Sequence, residues 1–278
     1  MATVHRRTFL ATTGLTGLLA LTGCSSDRPN EEGPMADERI TYGDDPSQYV
    51  EISRPEGTSR GTVVIIHGGF WKAAYDASLG RPLAESLRDE GWTAANVEYR
   101  RVGNGGGVPQ TLDDVAAAID ALADVEGVDT THVITLGHSA GGHLAVWAAA
   151  RGRFERWRPA RVTVTAAVSQ AGVLDLGAGY DDHLGGGAVD AFAGSAPGPG
   201  YAEMDPRRHL PLDVPVRCVH GTLDDVVPIS QSRDYVAAAV AAGADATLTE
   251  VDGGDHFVVI DPASEAWATT LALLDDLA

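Results

Sequence analysis

From residue 62 to residue 277 the chain alternates short, β-rich apolar runs with segments of helical spacing. Residues 62–67 (TVVIIH) are almost continuously apolar, as a strand covered on both faces must be. The same reasoning predicts strands over 93–99, 132–136, 162–169, 214–220 and 246–251, with helices over 79–90, 112–125, 141–151, 231–242 and 263–277. Strict alternation makes successive strands parallel. Right-handed crossovers then place helices on both faces of the sheet. The expected fold class is α/β, with a mostly parallel central sheet flanked by helices. Residues 174–212, rich in Gly, Pro and Asp, break the rhythm. They are expected to form a short lid-like excursion over the C-terminal edge of the sheet, where open α/β sheets bind ligands.

The chemistry gathers at the ends of these strands. Gly137-His138-Ser139-Ala140-Gly141 follows one strand and opens a helix. G-x-S-x-G in that context is a nucleophile elbow, a tight turn that projects the serine hydroxyl above the sheet and tolerates no side chain at either glycine. His67-Gly68-Gly69-Phe70-Trp71 follows the strand at 62–67. Its glycines allow close backbone approach to a reacting carbonyl, so the N–H groups of Gly69 and Phe70, joined by that of Ala140, are the expected oxyanion donors. His67 reads as a brace for this loop rather than a base. His220-Gly221-Thr222-Leu223-Asp224-Asp225 supplies the acid, with Asp224 preferred over Asp225. The order Ser, acid, His leaves His256, the only histidine after Asp224, as the base. His138, adjacent to Ser139, is expected to point away from the hydroxyl. His143, His183 and His209 lack metal-ligand spacing, so neither metal nor cofactor is expected. Phe70, Trp71 and Phe257 are placed to wall a small apolar pocket or to belong to the core.

Together these four segments resemble the α/β-hydrolase superfamily over nearly all of residues 40–278. The H-G-G-x-W form resembles the arylformamidase (kynurenine formamidase) branch and related small carboxylesterases. The resemblance implies a metal-free triad of Ser139, Asp224 and His256, with Gly69 and Phe70 as oxyanion donors. The expected activity is hydrolysis of small carboxylic esters, with aryl or formyl amides as the alternative, through an acyl-enzyme on Ser139. A catalytically silent surface lipoprotein that binds a ligand is the alternative from another class; the presence of all three triad residues favours catalysis.

The first residues read as an address. Arg6 and Arg7 precede a mildly apolar stretch, Phe9 to Thr22, too short to span a bilayer. This resembles a twin-arginine export signal over 1–23. Leu21-Thr22-Gly23-Cys24 resembles a lipobox, which implies acylation of Cys24 and a chain tethered to the outer face of the cytoplasmic membrane. The polar segment 24–39 is the expected tether, followed by the catalytic domain over 40–278. With Cys24 acylated, Cys218 has no disulfide partner. A formal charge of −19, from 20 basic against 39 acidic side chains, argues against a nucleic-acid partner, because phosphates attract Lys and Arg.

Overall fold

The computed structural model describes residues 36–278. The export segment, Cys24 and the tether up to residue 35 lie outside the described residues. Eight strands form one sheet in the order β1-β2-β4-β3-β5-β6-β7-β8. They are β1 (Glu38–Thr41), β2 (Tyr49–Ser53), β3 (Thr62–Ile66), β4 (Thr93–Glu98), β5 (Val133–His138), β6 (Ala166–Gln170), β7 (Val216–Gly221) and β8 (Ala246–Val251). From β4 to β8 every pairing is parallel, whereas β1 and β2 add antiparallel at one edge. The sequence reading misses these two strands. β1 is four residues long and largely exposed, so it carries no apolar run, and it begins inside the segment expected to be tether.

β3 explains why the central strands are continuously apolar. Val64 and Ile66 face the core beneath α2 (Gln110–Ala121) and α3 (Ala140–Ala150). Val63 and Ile65 face α1 (Arg81–Asp89) and α7 (Glu265–Asp276) on the opposite side. The two-residue period of a strand thus feeds two cores. α3 is apolar on all sides and nearly every residue in it is buried, which fits its central place behind β5. α6 (Ser230–Ala241) packs Tyr235 and Ala239 against Val146 and Cys218. β6 starts four residues later than expected; Val162 and Val164 are buried in an irregular lead-in. No helix among the described residues is long and apolar enough to cross a membrane.

The excursion over 174–212 is more ordered than its composition suggests. It forms α4 (Leu176–Asp181), α5 (Leu184–Ala193) and two short 3-10 turns, Pro199–Glu203 and Pro206–His209. Gly185, Gly186 and Gly187 run through left-handed backbone, which breaks helical periodicity in the sequence. The segment is pinned to α3: His143 Nε2 meets the Met204 carbonyl at 2.8 Å and Trp147 Nε1 donates to the Glu203 carbonyl at 2.8 Å. Phe192 stacks on Trp71 with ring centroids 4.6 Å apart.

The β3–β5–α3 junction has no spare room. A Cβ on Gly141 would lie 1.9 Å from the Ile66 carbonyl oxygen and 2.6 Å from that of His67. Both obstacles are backbone, so the sheet itself would have to open. Gly141→Ala is expected to destabilise the fold by about 3 kcal/mol in urea unfolding, the upper range for overpacking. Gly200→Ala, where a Cβ meets nothing within 4 Å, is expected to stay within about 0.5 kcal/mol of the parent.

Candidate active site

Ser139 sits between β5 and α3 with φ 56° and ψ −120°, a conformation that costs an ordinary residue about 1–3 kcal/mol. Two hydrogen bonds hold it there. Its N–H donates to the Gln170 carbonyl at 2.8 Å, and its own carbonyl accepts from His143 N at 3.2 Å. A Cβ on Gly137 would come within 2.1 Å of the Gly141 carbonyl oxygen, so only glycine lets the turn close. The strain is therefore fixed by strand pairing and by the absence of two side chains.

The expected acid and base come from neighbouring strand ends. Asp224 lies in the turn after β7 and His256 in the loop after β8. His256 Nδ1 donates to Asp224 Oδ2 at 2.7 Å, and the two side chains are 4% and 0% exposed. Asp224 Oδ1 accepts from the N–H groups of Val226 and Val227 at 2.9 and 2.8 Å. Burial alone would raise the Asp224 carboxyl, but hydrogen bonds from His220, His256 and the Val227 N–H hold it well below the usual carboxylate range. Asp225, the competing carboxylate, is exposed. The contact with Asp224 makes Nδ1 the protonated nitrogen of His256, leaving Nε2 as its lone-pair side. Among the described residues, neither the Ser139 hydroxyl nor His256 Nε2 has a hydrogen-bond partner, each other included. The link between them runs through His138, whose ring centre is 4.4 Å from that of His256 and whose Nε2 donates to the His256 carbonyl at 2.8 Å. His138 clamps the loop that carries His256.

The proposed oxyanion donors occupy a loop of unusual backbone. Gly69, Phe70 and Trp71 have φ of 107°, 55° and 54°. The N–H groups of Gly69, Phe70 and Ala140 donate to no carbonyl or side chain among the described residues. Gly68 passes so close to the nucleophile that an added Cβ would stand 3.1 Å from Ser139 Cβ. Two left-handed non-glycine residues need firm anchoring. Trp71 supplies part of it: its ring is fully buried against Phe192 and edge-on to His143. Trp71 is thus a core residue and does not wall a pocket. Phe70 leans on Gly185, where a Cβ would strike its ring at 2.3 Å. Phe257 is 60% exposed beside His256.

Beneath the loop lies a buried polar network that sequence reasoning did not find. His67 Nδ1 donates to the Gly68 carbonyl at 2.8 Å, and Nε2 accepts from Arg101 Nη1 at 3.1 Å. Arg101 also pairs with Glu98, whose Oε2 accepts from Ala77 N at 2.6 Å. Tyr99 Oη donates to the His67 carbonyl at 2.7 Å. Burial, reinforced by Arg101, pushes the His67 pKa down to about 3, so the ring stays neutral and works as a brace. The only sequence signal was a Glu and an Arg flanking the end of an apolar strand. The partner, His67, is more than thirty residues away.

A family model described as BD-FAE matches residues 50–238. The chain belongs to the BD-FAE family. This is an α/β-hydrolase esterase family. The chain is 27% identical over 247 residues to esterase LipC of Mycobacterium tuberculosis, covering 81% of this chain and 60% of that protein. It is 29% identical over 219 residues to a probable carboxylic ester hydrolase, LipM, of the same organism, covering 72% of this chain and 51% of the relative. The chain therefore spans about half to three fifths of the length of these relatives. Among solved structures, a thermophilic esterase from Thermogutta terrifontis aligns with a TM-score of 0.71 at 24% identity, over 87% of this chain and 91% of that one. An esterase from Lactobacillus rhamnosis aligns at 0.74 and 21% identity, over 88% and 87%. These likenesses fix the α/β-hydrolase fold.

The buried histidines of this BD-FAE protein set its acid stability. Burial pushes His67, His138 and His143 to about 3 and His209 to about 4. Below the unfolded value near 6.5 the unfolded chain takes up protons that these rings refuse, so stability present above that pH falls as pH drops. Asp205, pushed up to about 6 by burial, acts in the opposite sense, as does Glu98. The histidines outnumber these two acids. Urea unfolding is expected to lose at least about 1.4 kcal/mol between pH 6.5 and pH 5, the value for one net proton over one pH unit. Equal stability at the two pH values would contradict the neutral-histidine assignment.

Proposed function

We propose that the protein is a serine carboxylesterase working through an acyl-enzyme on Ser139. The observation that carries this reading is the buried 2.7 Å contact of His256 Nδ1 with Asp224, made beside a serine held in an elbow conformation. His256 Nε2 takes the Ser139 hydroxyl proton as Oγ bonds to the ester carbonyl carbon. The charge that develops on the carbonyl oxygen meets the unpaired N–H groups of Gly69, Phe70 and Ala140. One such donor is worth about 3–4 kcal/mol in comparable sites. The C–O bond to the alcohol then breaks, and the departing oxygen takes the proton back from Nε2. Water, deprotonated by the same nitrogen, attacks the acyl carbon, and Ser139 is regenerated as the carboxylic acid leaves. Asp224 keeps the Nδ1–H tautomer throughout.

The names of the relatives, an esterase, a carboxylic ester hydrolase and an isoprenylcysteine alpha-carbonyl methylesterase from rice, support ester over amide cleavage. Exposed Tyr75, Leu223 and Phe257 stand beside Gly69, Asp224 and His256, giving the mouth an apolar rim that suits an uncharged ester. The formamidase reading rests on the H-G-G-F-W segment. The tryptophan of that segment is sealed in the core, so it holds the loop and does not select the substrate.

Ser139→Ala is expected to lower kcat/KM for p-nitrophenyl acetate by at least ~10³. A fluorophosphonate probe should label Ser139 in the parent; an unlabelled Ser139 would favour the ligand-binding alternative. Faster turnover of N-formyl-kynurenine than of p-nitrophenyl acetate would replace the esterase by a formamidase.

We also propose that the chain is exported and held on the outer face of the cytoplasmic membrane through acylated Cys24. Radiolabelled palmitate fed to expressing cells should enter the parent and be absent from Cys24→Ala; equal labelling would reject the anchor.

A further inference from the structure

The motif that supplies the acid begins with a second histidine that the mechanism above leaves unused. His220 is the penultimate residue of β7 and is fully buried. Its Nε2 lies 2.9 Å from the Val227 carbonyl oxygen and 3.1 Å from Asp224 Oδ2. Both neighbours are acceptors, so Nε2 carries a hydrogen. Nδ1 then accepts from the Ser232 hydroxyl, 2.8 Å away on α6. The Asp224 oxygen that serves His256 is thus also approached by another imidazole N–H, one whose hydrogen bond goes to the Val227 carbonyl. With two backbone donors on Oδ1, the carboxylate accepts three N–H groups and has this fourth beside it.

A carboxylate spreads its charge over whatever donors it accepts. Each additional donor weakens its pull on the rest. A proton on Nε2 of His256 is stabilised chiefly by the negative charge opposite Nδ1–H. A second imidazole N–H on that same oxygen makes the carboxylate a poorer stabiliser of the imidazolium. We propose that His220 is a positioning residue that acts through Asp224 to keep His256 unprotonated, and so catalytically competent, at lower pH than an Asp–His pair without it. The Ser232 hydroxyl donates to Nδ1 and so follows the tautomer that the Val227 carbonyl and Asp224 fix. The proposal rests on the serine esterase reading and adds a residue to it.

The other ionisable groups around the cluster are accounted for. His138 packs on the His256 ring and is kept neutral by burial, its pKa pushed down to about 3. Glu250 pairs with His220 across β7 and β8 but is engaged by Arg233 of α6 at 2.6 Å. Asp255 accepts from the N–H groups of Phe257 and Val258, both at 2.9 Å. Asp225 faces solvent. Cys218, on the same strand, is pushed up to about 12 by burial and stays a thiol.

The test is the acidic limb of the pH profile of kcat/KM for p-nitrophenyl acetate, which reports protonation of the base in the free enzyme. His220→Leu removes the donor and should move the limb to higher pH by about 0.5–1 unit, about three- to tenfold in activity below the limb, the scale of one hydrogen bond to a charged acceptor. His220→Gln can carry a donor to the same place and should restore the limb to the parent position. A loss of activity with an unmoved limb in His220→Leu would reduce His220 to packing and overturn the proposal. So would a glutamine variant that shifts as far as leucine. Should His220→Leu fail to fold, His220→Met removes the same donor, and an unmoved limb there overturns the proposal equally. Fluorophosphonate labelling of the parent, run alongside, separates the two levels: no adduct on Ser139 defeats the esterase reading, whereas an adduct with unmoved limbs defeats only the role of His220.

Discussion

The site depends on one steric fact: at the end of β5 the backbone of β3 and of α3 approach so closely that Gly137 and Gly141 have no room for a side chain. That closeness lets a serine hold φ 56° at the top of the sheet and brings Gly68 against its Cβ. Nucleophile and oxyanion loop are therefore placed by the same contact. A looser junction would relax the strained turn and separate the groups that must act together. The strain is carried by parallel strand pairing on both sides of β5, which is among the most buried hydrogen bonding in the molecule.

Around this junction two buried polar networks fix the loops that hydrophobic packing alone would leave loose. Under the oxyanion loop, Glu98 and Arg101 form an ion pair with almost no exposure. Pairs of this kind gain little net stability after desolvation. Arg101 gives His67 a donor, His67 in turn satisfies the Gly68 carbonyl, and Glu98 holds the start of the next turn through Ala77 N. On the other side, Asp224 collects three N–H groups with that of His220 beside them, and His138 ties the His256 loop back to the elbow. Removing a partner from either network leaves a buried polar group unmatched, so each is more costly to break than it was to form.

What the sequence discloses follows the range of the interactions. The elbow, the H-G-G segment and the two strand-end turns are local: their glycines, acids and histidines lie within a few residues, and turn chemistry alone places them. Helix positions agree to within about two residues for α1, α6 and α7, where apolar spacing is regular. Long-range contacts leave no such trace. His138 and His256 are 118 positions apart, and nothing near His138 announces that its partner is the carbonyl of the base. Trp71 reads equally well as pocket wall or core until Phe192 is seen to cover it. The excursion hides its helices because three consecutive left-handed glycines erase the period a helix would show. β1 is missed because an exposed edge strand needs no apolar run, and β2 because its buried residues alternate Val50 and Ile52 with Glu51 and Ser53.

The excursion then has a mechanical meaning. Phe192 of α5 stacks on Trp71, and Gly185 at the start of that helix lies against Phe70. Phe192 also offers its carbonyl to Val108 N at 2.9 Å, and Lys72 Nζ reaches the Gly185 carbonyl at 3.2 Å. The excursion is thus bonded directly to the loop that holds the proposed oxyanion donors. Any change in its sequence that shifts α5 also shifts Phe70 and Trp71, both already in costly backbone conformations. On the proposed reading, substrate selection and transition-state stabilisation are consequently coupled. A variant of the excursion must keep a ring at the Phe192 position, or it loosens the peptide groups of Gly69 and Phe70 that the proposal makes oxyanion donors.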